Sequence, residues 1–208
     1  MKNELTAKFL LDCCVPADEL KTNFRINFSR FSLSDYHKIR TSEVLSFAFY
    51  PTRFGEVIIG STSIGICYLH FVKNREEAEK DFKAFFPDCA WKEEETKQHK
   101  IALKIINEDE WPEMLNLQVK GTDFQYKVWR GITKIALGKI TIYSELAKNI
   151  GVANGARAVG SAIGANEIAY LIPCHRIIQK TGKLAGFRWG DEVKIKLLMN
   201  ELEVDKEV

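Results

Sequence analysis

A chain of 208 residues, 46% apolar and 28% charged, has the length for one large domain or two modest ones and the composition of an ordinary packed protein. It has no low-complexity tract and no apolar run of membrane-spanning length, which excludes a disordered or fibrous chain and a transmembrane helix. The net charge of +2 hides an asymmetry: residues 1–120 hold 17 basic and 19 acidic side chains, residues 121–198 hold 12 and 5, and an acidic tail runs from Glu201 to Glu207. A basic half of this kind calls for an anionic partner, most simply nucleic acid.

The five cysteines (13, 14, 67, 89 and 174) are odd in number and lack framework spacing. The start, with Asp12, Asp18 and Glu19, lacks a secretory pattern, so reduced thiols and a cytoplasmic location are expected. Adjacent Cys13 and Cys14 do not have the paired spacing of a zinc site, and no metal is expected.

Residues 1–40 carry no clear pattern and are set apart as an N-terminal extension. From Val44 the pattern clears. Leu45, Phe47 and Phe49 alternate, Phe54-Gly55 turns into Val57-Ile58-Ile59, and a second turn at Thr62-Ser63 leads to a strand ending near Phe71. That is an antiparallel meander. Asn74 then caps a helix, with Glu77 as capping-box partner and Ala78, Phe82, Phe85 and Phe86 as its apolar stripe, and Pro87 stops it. Ile101 to Ile106 reads as a short helix. Leu115, Leu117 and Val119 alternate as a strand ending at Gly121, and the charge balance changes sign nearby. The expected domains are therefore 41–114 and 115–208.

In the second half Phe124, Val128, Ile132 and Ile135 mark a helix closed by Gly138. Tyr143 to Ile150 forms another, Gly151 to Asn154 a turn, and Gly155 to Ala165 a third helix. Two short helices across a glycine-containing turn are a helix-turn-helix signal. The third helix is nearly bare, with Arg157 its only long polar side chain. Either it is an internal helix whose small residues admit a neighbour, or it lies in a minor groove with Arg157 as its probe. Asn166 ends it, and the apolar run from Ile168 to Ile172 reads as a strand delivering Cys174.

Cys174 has His175 directly beside it. A thiol attacks as thiolate, and an imidazole able to take the proton makes that form accessible near neutral pH. Lys180 to Lys183 forms a turn, Gly186 to Gly190 a second glycine-bounded loop. The last helix starts near Asp191, where Val193, Leu197 and Leu198 set a stripe that includes Glu201. Glu201 either faces the core with an imidazole as partner or frays into solvent.

Together these residues resemble the O6-alkylguanine-DNA alkyltransferases. The resemblance runs from about Leu115 to Glu201 and rests on Gly121-Thr122, Phe124-Gln125, Val128-Trp129, Gly138, Tyr143, Leu146-Ala147, Arg157-Ala158-Val159, Asn166, Ile172-Pro173-Cys174-His175-Arg176, Gly182, Gly190 and Glu201. The loop Gly186-Phe187-Arg188-Trp189-Gly190 looks like that of the bacterial adaptive-response branch, with Phe187 where most members carry tyrosine. The earlier half looks, more loosely, like that branch's N-terminal domain.

The resemblance implies an α+β chain: a small ribonuclease-H-like N-terminal α/β domain, then a mostly helical domain with a winged helix-turn-helix. It implies direct-reversal repair, with a single irreversible transfer of the alkyl group from O6-alkylguanine in double-stranded DNA to Cys174. His175 takes the thiol proton through a water, Glu201 orients the imidazole, Asn166 holds the turn, Tyr143 helps rotate the nucleotide and donates toward the leaving guanine, and Arg157 fills the gap left by the extruded base. The expected DNA contacts are Arg157, Tyr143, Ser144, Gln125, Ala156, Gly160 and Lys180. The expected pocket is formed by Ile163, Ile177, Phe187 and Arg188. No cofactor is implied, and a monomer acting in the minor groove with little sequence specificity is expected. The alternative is a helix-turn-helix regulator using Cys174 as an alkylation or redox sensor.

Overall fold

Alternating apolar residues between turn signals build the meander at the centre of a six-stranded sheet. The computed structural model describes residues 6–20, 25–31, 37, 43–87, 89–152, 154–184 and 186–202. Its strands are β1 (Arg25–Arg30), β2 (Val44–Thr52), β3 (Gly55–Ser61), β4 (Ile66–Phe71), β5 (Ala90–Glu93) and β6 (Met114–Val119), in the order β1-β6-β4-β3-β2-β5. The pairs β2–β3 and β3–β4 are antiparallel, while β5, β6 and β1 join in parallel. Packed in the same unit are the helices α2 (Arg75–Phe85) and α3 (Lys97–Glu108). As expected, the Asn74 side chain caps α2 by accepting from the Glu77 backbone N–H at 3.0 Å. Phe82 and Phe86 bury their rings against Leu45, Phe47, Ile58 and Tyr68. Gly60 is bare because a Cβ there would lie 2.5 Å from the Phe82 ring.

His99 on α3 is wholly buried, bonded to the Tyr50 hydroxyl and to Ser61 Oγ, each at 3.0 Å. Burial pushes its pKa down to about 4. Its unfolded value is near 6.5, so below that pH the unfolded chain takes up a proton that the folded one refuses. Stability is complete above the unfolded value and falls as pH drops toward the folded one. Between pH 7 and pH 5 the wild type should lose about 2 kcal/mol more than a His99→Gln variant, measured by urea unfolding.

The second unit combines the described residues of 1–23 with 122–166 and 172–202. It holds α1 (Ala7–Asp12), α4 (Asp123–Ile132), β7 (Thr141–Ile142), α5 (Tyr143–Asn149), α6 (Ala156–Gly164), β8 (Ile177–Ile178) and α7 (Asp191–Glu201). A reciprocal capping box between Thr122 and Gln125 starts α4. The Trp129 indole N–H donates to the Ala162 carbonyl at 2.9 Å, tying α4 to α6. β7 and β8 pair in parallel. Residues 6–20 form an arm on this unit. Leu10 packs with Ile140, Ile178 and Leu198, Val15 N–H donates to the Ile140 carbonyl, and Thr141 Oγ1 donates to the Val15 carbonyl.

The architecture is mixed α+β, with seven α-helices among the described residues. Several expectations need correction. Residues 1–40 are not one separate extension: 6–20 belong to the helical unit, and Arg25–Arg30 is a strand of the sheet. The division expected after residue 114 falls after Gly121, because Met114–Val119 pairs with β1 and β4. Residues 167–171 also belong to the sheet unit. The helix expected at 101–106 spans a full Lys97–Glu108, with Thr96 as its cap. Ala153 of the expected turn and the acidic tail beyond Leu202 lie outside the described residues. Among those described, no helix is long and apolar enough to cross a membrane.

Candidate active site

Pro173 shapes the approach to the cysteine. Its φ of −78° and ψ of 62° form an inverse γ-turn, closed by the Cys174 N–H donating to the Ile172 carbonyl at 2.7 Å. The expected strand does not form: Ile168 makes only an isolated bridge, residues 169–171 turn, with Tyr170 at a φ of +64°, and Cys174–Arg176 is one turn of 3₁₀ helix. The left-over donors of Asn166 meet this turn. Its Nδ2 donates to the Ile172 carbonyl at 3.1 Å and to Cys174 Sγ at 3.3 Å.

Glu201 is held in the core, which settles its two readings. His175 Nε2 donates to its Oε1 at 2.8 Å, and Arg176 clamps both oxygens, Nε to Oε2 at 2.7 Å and Nη2 to Oε1 at 2.8 Å. The remaining Arg176 nitrogen, Nη1, donates to the Ile135 carbonyl at 2.7 Å. Both ionic partners are essentially inaccessible, so this is a buried pair with its hydrogen bonds made.

The electrostatics follow from that packing. Burial opposes ionisation of Glu201, but the imidazole and the guanidinium beside it prevail and hold the carboxyl at about 2. Burial pushes the His175 imidazole down and Glu201 resists. With Arg176 permanently charged, the carboxylate is already neutralised, so His175 rests as a neutral imidazole able to take a proton. Burial likewise pushes the Cys174 thiol up, while the Asn166 amide and the charges of Lys194 and Arg188 work against it. The resting cysteine is thus a thiol beside a base. Lys194 is only 2% exposed, donates from Nζ to the Ile177 carbonyl at 2.6 Å, and burial brings its pKa down to about 8.

Comparison with known proteins decides the family. Residues 123–203 match the family model described as 6-O-methylguanine DNA methyltransferase, DNA binding domain. The methylated-DNA–protein-cysteine methyltransferase of Methanosarcina acetivorans is 33% identical over 159 residues, which cover 74% of this chain and 97% of that protein. The chain belongs to this methyltransferase family. The bifunctional transcriptional activator/DNA repair enzyme Ada of Escherichia coli is 32% identical over 160 residues, covering 76% of this chain. The chain spans less than half the length of that relative, 45%. The crystal structure of Mycobacterium tuberculosis OGT in complex with DNA superposes with a TM-score of 0.63 at 27% identity, covering 76% of this chain and 93% of that one.

Against that methyltransferase background the remaining expected residues fall in distinct places. The Tyr143 ring lies over Gly160 of α6, and burial raises its phenol pKa, with a charge on Cys174 raising it further. On α6, Val159, Ala162 and Ile163 face inward, whereas Arg157, Ala158 and Ser161 are exposed, so the helix is not wholly internal. Ser144 and Lys180 are exposed, and Ala156 is half-buried. Gln125 is engaged locally: its Oε1 accepts from the Thr122 N–H at 2.8 Å. Phe187 meets Trp189 edge-on with ring centroids 5.1 Å apart, and Arg188 Nη1 donates to the Asn166 carbonyl at 3.2 Å. Ile177 is fully buried.

Sequence reasoning assigned no role to Arg176 or Lys194. Lys194 could have been found, since Lys194, Leu198 and Glu201 recur at the spacing of one helix face.

Proposed function

We propose that this chain repairs DNA by direct reversal, moving a methyl or other alkyl group from O6-alkylguanine to its own Cys174. The observation that carries the reading is the joined set Asn166–Cys174 and His175–Glu201–Arg176. The Cys174 proton passes through a water to His175, and the imidazolium is stabilised by Glu201. The sulfur attacks the alkyl carbon, the carbon–O6 bond breaks, and the departing guanine anion, steadied by a hydrogen bond from the Tyr143 phenol, takes up a proton in exchange for the one that the His175 imidazolium gives back through water. A thioether is a poor leaving group, so each molecule reacts once, without a cofactor.

The lesion sits inside a stacked duplex and must be flipped out. In this reading α5 and α6 are a winged helix-turn-helix entering the minor groove, Arg157 fills the space of the extruded base, and Ser144, Gln125, Ala156, Gly160 and Lys180 lie along the DNA. Gln125 contacts DNA only beside its capping bond. Ile163, Ile177, Phe187 and Arg188 wall the pocket, and the sheet unit is ribonuclease-H-like. The protein acts as a monomer in the cytoplasm. The outward face of α6, with Arg157 its one long polar side chain, supports lesion scanning over a regulator that reads one operator.

Mass spectrometry tests the reading. After incubation with an O6-methylguanine duplex, the Cys174 peptide should gain one methylene at one per molecule, and a Cys174→Ala variant should gain none anywhere. Methyl on another cysteine, or repeated turnover, would defeat it.

A further inference from the structure

Residues 167–171 carry none of the residues on which the family resemblance rests, yet they join Asn166 to the turn that presents Cys174. They are held on the sheet unit by several bonds at once. The Leu69 N–H donates to the Glu167 carbonyl and the Leu69 carbonyl accepts from the Ala169 N–H, both at 2.8 Å, so Ile168 forms an isolated parallel bridge with Leu69 of β4. His70 Nε2 meets Glu167 Oε2 at 2.7 Å, and the Tyr68 hydroxyl reaches His70 Nδ1 at 3.0 Å. Tyr170 donates to Asp109 Oδ1 at 3.2 Å, an oxygen that Arg53 also reaches at 2.7 Å. Tyr170 adopts a φ of +64°, a left-handed conformation that persists in a bulky residue only where its surroundings enforce it.

We propose that His70 and Glu167 are positioning residues for the reaction: their hydrogen bond fixes the backbone immediately after Asn166, and through Asn166 the sulfur of Cys174. The amide of Asn166 touches Sγ directly, so an error in its backbone passes to the nucleophile without any change at a DNA-contacting residue. The inference rests on the methyl-transfer reading above.

The test compares the full chain with E167A, H70A, the double variant and E167Q, each well below its melting temperature. Two rates are followed: single-turnover transfer from an O6-methylguanine duplex, and alkylation of Cys174 by iodoacetamide without DNA, read on its peptide. Loss of the bond should slow maximal transfer roughly tenfold in either single variant, as expected for a slight misplacement of a nucleophile. The duplex concentration for half-maximal rate should not change. The midpoint of the thiol alkylation profile should move to higher pH, the double variant should be no slower than the singles, and E167Q, which keeps an acceptor oxygen for His70, should stay near wild type. Wild-type transfer and alkylation profiles in E167A and H70A would overturn the proposal, whatever happens to their melting temperatures. So would E167Q as slow as E167A. If the unaltered chain transferred no methyl, the reading above would fall, and the DNA-free profiles would still decide whether the pair positions the thiol.

Discussion

Glu201→Gln should cost this protein both stability and rate. Glutamine keeps the shape and some of the hydrogen bonds but leaves the Arg176 guanidinium as an uncompensated buried charge, a loss of about 3 kcal/mol or more. It also removes the carboxylate that makes a protonated His175 affordable. Methyl transfer at neutral pH should fall by roughly 100-fold, the range of a lost acid–base partner. The pH midpoint for alkylation of Cys174 should rise, because the proton has a poorer acceptor. Urea unfolding separates the two effects: a variant that is destabilised but unchanged in its thiol pH profile would reduce Glu201 to an anchor for Arg176. The same residue sets a second acid limit. Its folded pKa of about 2 lies below the unfolded carboxyl value, so its contribution is complete above that unfolded value and drains away as pH falls toward the folded one.

Arg157→Ala is expected to split two substrates. A side chain that only met phosphate would, when lost, weaken binding to damaged and undamaged duplex alike and lower the salt slope by about one. A side chain that replaces the extruded base affects flipping, worth a few kcal/mol, so transfer to duplex lesions should drop by about 100-fold. Reaction with free O6-methylguanine base, which requires no flipping, should stay near wild type. Equal losses on both substrates would point to damage in α6 and remove the intercalating role.

What could be read from the residues follows the range of the forces involved. The meander and the Asn74 cap are local matters of alternation and of a side chain reaching its own helix, and they are legible. β1 is not: in Arg25–Arg30 only Ile26 and Phe28 alternate, a signal too short to stand alone, and the segment is held as a strand by pairing in parallel with Met114–Val119, far along the chain. Within the site, Cys174, His175 and Asn166 announce themselves by chemistry and spacing. Arg176 does not, because a long basic side chain reads as surface by default. Its burial depends on the Ile135 carbonyl, in the bend after α4, and on Glu201 at the end of α7, both distant in sequence. The apolar run before Cys174 reads as a strand, but it turns at residues 169–171, where Tyr170 has a φ of +64°, and Pro173 then leads into a 3₁₀ turn.

The arm at residues 6–20 sets an order of events during synthesis. Leu10 and Val15 leave the ribosome well ahead of their partners Ile140, Thr141, Ile178 and Leu198, Thr141 lying 126 positions after Val15. At roughly 5–20 residues per second, the wait is about 6–25 s, longer for the partners further on. Throughout that interval the part of the sheet unit within residues 24–121 can form while the arm's apolar side remains uncovered. The cysteine-bearing unit, whose core joins Leu10 to Ile178 and Leu198, therefore closes only after Leu198 has been made, and Glu201 reaches His175 and Arg176 no earlier.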